Sequence, residues 1–165
     1  MAVFTFLMLL CLSLSSLIAG RLPSPYDHVG PLELYEENPP CWPTWVDTED
    51  RCYKLFKTPK TWHEALAYCK MANSNLTSVR NNDDLIVVKS LMRVPRSAVW
   101  IGGTDAVTEG TWQWSDGTPF DWTFWSPGQP DNRGEEDCMS VDKGLAYDEN
   151  CSKRLPFVCA TKLGM

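Results

Sequence analysis

The sequence predicts an α+β domain that is cross-linked by disulfides and carries one long loop. Two helix-like segments fall between Thr61 and Pro95. After Pro95, short apolar runs are separated by Gly, Pro, Asn and Asp, which is strand and loop punctuation. Seven Cys and eight Trp in 165 residues mark a compact, aromatic-rich, cross-linked unit. At this length one globular domain with a sizeable core is the expectation. Lys and Arg number 15 against 21 Asp and Glu, a formal net charge of -6. That balance argues against a surface built to neutralise phosphates, so nucleic acid and anionic membranes are poor partners.

Residues 1–20 contain no Lys, Arg, Asp or Glu, and an apolar run from Val3 to Leu12 gives way to small residues ending at Ala19 and Gly20. This pattern predicts a secretory signal peptide. A signal anchor is the rival, but Ser13, Ser15 and Ser16 shorten the run and no basic cluster sets an orientation, so no membrane anchor is expected. Cleavage removes Cys11 and leaves Cys41, Cys52, Cys69, Cys138, Cys151 and Cys159, an even set suited to disulfides in a secreted, extracellular protein. Residues 21–40 interleave five prolines with Asp27, Glu33, Glu36 and Glu37 and show no sustained apolar period, so they predict an extended leader.

The folded unit is expected over residues 41–161, with 162–165 as a short tail. Cys41 and Cys52 bracket a short apolar segment and are followed by the strand-like CYKLF, which predicts a stapled hairpin. Thr61 and Glu64 have capping-box spacing, and Trp62, Ala65, Leu66 and Cys69 then fall on one helical face. NLTSV at residues 75–79 predicts a strand. A second helix is expected to start near Asn81 or Asn82, with Asp83 and Asp84 in its first turn where they suit the helix dipole, and to end before Pro95. AVWIGG, GTWQW, DCMSV and PFVCA follow as short strands. Trp100, Trp112 and Trp114 alternate with small and polar residues, which favours core positions over a ligand platform.

Residues 104–148 are dense in acidic and amide oxygens, with no His among them. Hard oxygen donors suit Ca2+ rather than zinc, while a solvated acidic loop is the bland alternative. Pro127, Gly128 and Pro130 stiffen a loop whose length is itself a mark of function or disorder. Gln129-Pro130-Asp131 sets two oxygen-bearing side chains on either side of a proline, and a cis peptide there would point both the same way.

WIGG at residues 100–103, QPD at 129–131, EDC at 136–138 and the terminal PFVC at 156–159 stand in an order that resembles a C-type lectin-like domain, in its long form with the stapled N-terminal hairpin. The chain is in this respect similar to secreted lectins of innate defence and to soluble lectins of the fish type. The resemblance implies pairing of Cys41 with Cys52, Cys69 with Cys159 and Cys138 with Cys151; the cysteine count alone leaves the connectivity open. It also implies that Gln129, Asp131, Glu136 and Asp148 bind a sugar-associated Ca2+ and the sugar's hydroxyls. QPD is the tripeptide associated with galactose-type glycans. An auxiliary Ca2+ site of the family maps onto Asp105, Glu109, Asn132, the Glu136 carbonyl and Asp137; for Asp105 and Glu109 the alternative is a turn carboxylate facing water.

The chain departs from the family where Trp-Asn-Asp is replaced by Ala146-Tyr147-Asp148. Tyr147 stands where an amide would ligate the ion, and a phenol is a poor ligand for a hard cation. Losing one of roughly six to eight oxygens moves affinity toward the weak extracellular range of about 0.1 to 1 mM. Asn132, Arg133 and Gly134 follow QPD without the aromatic residue that stacks on sugar in strong galactose binders. The implied function is therefore a Ca2+-dependent lectin with weak single sites that gains from multivalent glycans or a homo-oligomer. A lectin-like domain with structural calcium and a protein partner is one competitor, and an ice-binding protein of the fish antifreeze type is another. His28 and His63 lack a Ser or Cys partner in a nucleophile motif, so no enzyme is expected. Asn75-Leu76-Thr77 and Asn150-Cys151-Ser152 fit the glycosylation sequon.

Overall fold

The computed structural model describes residues 41–92 and 97–163. The signal peptide, the leader, Cys11, His28 and Pro95 lie outside the described residues. Chain order is β1 (Val46–Asp47), β2 (Arg51–Lys60), α1 (Trp62–Met71), β3 (Asn75–Leu76), α2 (Asn82–Leu91), β4 (Val99–Thr104), β5 (Gln113–Trp114), β6 (Cys138–Asp142), β7 (Leu145–Glu149) and β8 (Leu155–Lys162). The sheet runs β1-β2-β8-β4-β6-β7, with β3 on β8 and β5 on β4. It is mixed: its ladders are antiparallel except where β4 and β8 meet in parallel at Trp100 and Phe157.

Both helices start where their caps dictate. Thr61 Oγ1 accepts from Glu64 N at 3.3 Å and Glu64 Oε2 accepts from Thr61 N at 3.0 Å, closing the capping box. Trp62, Ala65 and Cys69 are buried on the inner face of α1, and Leu66 packs at its edge. Asn81 caps α2 by accepting from the N–H groups of Asp83 and Asp84 at 3.0 Å each. Asp83 stays exposed as a first-turn carboxylate should, but Asp84 is buried, because it turns inward toward Arg51 and Tyr53.

Strand alternation divides the core between the two faces of the sheet. Val99, Ile101 and Val158 join Leu85 and Val88 of α2, whereas Trp100, Phe157 and Cys159 join Trp62, Ala65 and Cys69 of α1. Trp100 and Trp114 are buried as core residues; Trp112 is half-buried and packs edge-on against Trp125 at 4.8 Å. The two buried indoles beside α1 find partners: Trp62 Nε1 donates to Ile101 O at 2.8 Å and Trp100 Nε1 to Lys60 O at 2.9 Å. Each fully buried aromatic of this kind contributes about 1.5 to 3 kcal/mol.

WIGG has a steric reason. A Cβ on Gly102 would meet Leu76 O at 2.6 Å, and one on Gly103 would meet the Met139 side chain at 2.8 Å, so only glycines let β3 and β6 close on β4. The disulfides join Cys41 to Cys52, Cys69 to Cys159 and Cys138 to Cys151, the pairing the resemblance implies. The strand expected over 75–79 is shorter, since only Asn75 and Leu76 join the ladder. Thr77 and Ser78 are buried beside it, with Thr77 N bonded to Val158 O at 2.9 Å. GTWQW likewise shrinks to Gln113–Trp114. The sequon at Asn75 is closed in the fold, for its amide donates to Ser115 O at 3.1 Å and Thr77 is fully buried.

Candidate functional site

Residues 115–137 form the long loop between β5 and β6. Its own aromatics anchor it: Phe120 tilts against Trp114 at 5.0 Å, Trp122 stacks on Phe124 at 5.2 Å, and Trp125 meets Trp112. Backbone bonds then zip the loop to β7, with Ala146 N donating to Phe124 O at 3.0 Å and Ser126 N to Ala146 O at 2.9 Å. Gly128 takes a left-handed φ of 86° and Gln129 N returns to Ser126 O at 2.9 Å, making the turn that presents Gln129. The Gln129-Pro130 peptide is cis.

The turn delivers its oxygens to β7. Gln129 Oε1 accepts from Asp148 N at 3.2 Å, and Asp148 Oδ2 accepts from Asp131 N at 2.8 Å and Asn132 N at 2.6 Å. Glu136 closes the ring by accepting from Arg133 N at 3.0 Å. Asp131, Glu136 and Asp148 each offer a carboxylate oxygen within 4.8 Å of the others. The Cys138–Cys151 bridge clamps the bases of both segments, since Glu136 lies just before one half-cystine and Asp148 just before the other. All four residues singled out from QPD, EDC and the final aspartate therefore converge.

The cluster is electrostatically unsatisfied. Asp148 is buried, yet its Oδ1 has no hydrogen-bond partner. Burial raises the Glu136 carboxyl, and the neighbouring Asp148, Asp131 and Glu149 carboxylates push the same way against the Arg133 N–H. A buried, orphaned carboxylate oxygen beside two more carboxylates is costly unless a cation completes it. Every donor is a hard oxygen, so the set fits an ion of the calcium type and offers no soft or imidazole ligand for zinc.

Asp105, at the end of β4, is held by Asp105 N donating to Asp137 O at 3.2 Å and Thr104 Oγ1 donating to the same carbonyl at 2.7 Å. Its Oδ2 accepts from Gly110 N at 2.9 Å, while its buried Oδ1 has no partner. Burial raises its carboxyl, and the nearby Asp137 and Asp148 carboxylates add to this. Glu109 is exposed, and Asn132 spends its Oδ1 on Glu136 N at 3.1 Å. Among the described residues, Asp105, Glu109 and Asp137 are not drawn into a trio as tight as that of Asp131, Glu136 and Asp148.

Two features of the site escape the sequence reading. β7 carries Asp148, but its buried positions are Ala146 and Asp148, so LAYDE shows no apolar alternation. The available signal was Lys143-Gly144, whose φ values of 50° and 84° make the two-residue hairpin that turns β6 into β7. Tyr147 lies half-buried between those two positions on the strand. The second feature is Arg133, whose Nε sits 3.3 Å from Asp131 Oδ2.

Residues 58–161 match the sequence model of the lectin C-type domain. C-type isolectin Sp-CL4 of Scorpaena plumieri is 35% identical over 146 residues, covering 84% of this chain and 97% of the isolectin. C-type mannose receptor 2 of Mus musculus is 36% identical over 117 residues, which span 68% of this chain but only 8% of the receptor. Among solved structures, the mouse scavenger receptor C-type lectin carbohydrate-recognition domain superposes with a TM-score of 0.71 at 31% identity, over 76% of this chain and 98% of that domain. The herring type II antifreeze protein superposes with a TM-score of 0.70 at 29% identity, over 74% of this chain and 99% of its own.

Proposed function

The chain belongs to the C-type lectin domain family, and from that premise we propose that it is a secreted Ca2+-dependent carbohydrate-binding protein with a preference for galactose-type glycans. The observation that carries the reading is the convergence of Asp131, Glu136 and Asp148 around the orphaned Asp148 Oδ1. Gln129, Asp131, Glu136 and Asp148 hold the ion. Calcium, when bound, offers open coordination positions to a pair of vicinal hydroxyls. The carboxylates accept hydrogen bonds from those hydroxyls and the Gln129 carboxamide can donate one to them, so the arrangement of donors and acceptors in QPD favours one hydroxyl geometry over another.

Asp105, Glu109, Asn132 and Asp137 form a second cation site that stiffens the loop. The buried, partnerless Asp105 Oδ1 supports it. Residues 1–20 act as the signal peptide and residues 41–161 as the lectin domain, in keeping with three disulfides. Binding at one site is weak, because Tyr147 supplies no amide oxygen, and multivalent glycans or a homo-oligomer raise it. The protein acts as a binder in recognition of glycans on microbes or cells and catalyses no reaction.

A glycan array probed in Ca2+ and again in EDTA tests this reading. Galactose-type glycans should be retained in Ca2+ and lost in EDTA. Retention in EDTA, or capture of mannose-type glycans alone, contradicts it. Ala146 and Tyr147 favour a second reading, in which calcium is structural and the ligand is a protein; an array blank under both conditions, with calcium still raising the melting temperature, supports that one. Thermal hysteresis in freezing solutions would instead support ice binding.

A further inference from the structure

Among the described residues one cationic side chain pairs with the acidic trio, and it comes from the loop itself. Arg133 Nε lies 3.3 Å from Asp131 Oδ2, and its backbone N–H contacts Asp131 Oδ1 at 3.3 Å and Glu136 Oε2 at 3.0 Å. The left-handed φ of 46° at Asn132 turns the chain so that Arg133 folds back over Asp131. Its side chain is 84% exposed, and among the described residues neither Nη group has a protein partner. The nearby Lys153 is already spent on Glu149 at 2.7 Å. Arg133 is thus tied to Asp131 through Nε while its Nη edge stays open at the lip of the site.

Resting on the reading above, we propose that Arg133 is a specificity-determining residue that turns the site toward galactose-type sugars bearing an anionic group, a sulfate or a carboxylate. Three carboxylates and a divalent ion leave one negative charge, which Arg133 balances while no ligand is bound. Once the ion shares Asp131, the guanidinium is less tightly held there. Its free edge can then form a two-pronged hydrogen bond with an oxyanion, a geometry that a planar fork matches and an ammonium does not. Asn132, Arg133 and Gly134 carry no ring to stack on the apolar face of a sugar, so beyond the ion the second anchor at this lip is charge. Glu149 adds its charge to those of Asp131 and Asp148 around Glu136, so an anion is repelled there unless Arg133 is present.

The test is calorimetric titration of the protein in saturating Ca2+ with methyl β-galactoside, its 6-O-sulfate and methyl galacturonoside, which share free vicinal hydroxyls and differ in the anion. Wild type should bind a charged sugar about tenfold tighter than the neutral one, the scale of a charge-assisted hydrogen bond. The sulfate and carboxylate arms show which anion the fork takes. Arg133→Ala should bring that ratio to one or below, and Arg133→Lys should keep part of it. Calcium titration of Arg133→Ala should give affinity equal to or above wild type, since a competitor for Asp131 is gone. A ratio near one in wild type, a ratio that survives Arg133→Ala, or loss of calcium binding in Arg133→Ala overturns the proposal. Failure of every sugar while calcium still binds would overturn the lectin reading with it, whereas binding of the neutral sugar without preference overturns this inference alone.

Discussion

Asp84 and Asp148 are equally hidden, each 4% exposed, but they live in opposite surroundings. Asp84 accepts from Tyr53 Oη at 2.7 Å, from Arg80 Nε at 2.8 Å and from Arg80 Nη2 at 2.9 Å, with Arg51 Nη1 at 3.6 Å. Burial raises its carboxyl, yet the bonds from Arg80 and Tyr53 outweigh burial and hold it below the usual carboxylate range. Asp148 has backbone N–H donors on one oxygen and nothing on the other, and its near neighbours are two more carboxylates. One cluster is closed by the chain's own cations; the other leaves a buried carboxylate oxygen unpartnered, which is where the proposed cation would sit. Burial alone does not distinguish a structural carboxylate from a binding one, but the partner of its last oxygen does.

Removing each aspartate in EDTA should expose the difference most strongly. Asp84→Ala leaves Arg51 and Arg80 without their shared partner and should cost about 3 to 5 kcal/mol in urea denaturation, the scale for breaking a buried ion pair. Asp148→Asn, which keeps one acceptor for the loop N–H groups and relieves repulsion, should change stability by less than about 1 kcal/mol under the same conditions. Equal losses would erase the distinction.

The next effect concerns what holds the open cluster together. Replacing Cys138 and Cys151 by Ser should cost about 3 kcal/mol, as expected for a bridge closing a loop of this length. It should also weaken calcium, because Glu136 and Asp148 lose their common clamp; calorimetry finding unchanged calcium affinity would separate the bridge from the site.

Tyr147→Asn sharpens the comparison from the other side by adding an amide oxygen. Calcium affinity should rise about tenfold, and galactoside affinity with it, on the scale of a hydrogen bond to a charged partner. No gain in isothermal titration would mean that β7 supplies its oxygens in another way.

The smallest effect is a difference of sign with pH, read from denaturation in EDTA. Asp105 and Glu136 have raised carboxyls when folded, so acidification through those values relieves their penalty and stability should rise. Asp84 is lowered when folded, so its contribution is full above the unfolded value of about 3.9 and is lost as pH falls through the folded one. A shallow maximum on the acid side of neutrality is expected, and Asp84→Asn should lose the steep decline below it.

The two clusters also differ in how legible they were. Helix α1 could be read because a capping box and an apolar face agree at Thr61, Glu64, Trp62, Ala65 and Cys69. Gln129, Asp131, Glu136 and Asp148 were legible through motifs resembling a family; composition alone left calcium ligands and a solvated acidic loop as alternatives. β7 was hidden because its inward side chains include an aspartate, which inverts the usual pattern. The Arg51–Asp84 network was hidden for a related reason. Nothing local marks Arg51 as buried, for the carbonyl it meets at 3.1 Å belongs to Ser78, 27 residues on. Arg133 was visible as a residue, but its reach to Asp131 depends on the left-handed turn at Asn132.

In the proposed function, Asp131, Glu136 and Asp148 would hold calcium. Thermal unfolding of wild type and Asp148→Asn, each in Ca2+ and in EDTA, tests it most directly. At about ten times the dissociation constant, each ion that binds only the folded state adds roughly 1.4 kcal/mol, so wild type should melt several degrees higher in Ca2+ and Asp148→Asn should show a smaller shift, keeping only what the Asp105 site supplies. Identical melting of wild type in Ca2+ and EDTA, or an undiminished shift in Asp148→Asn, would contradict the account.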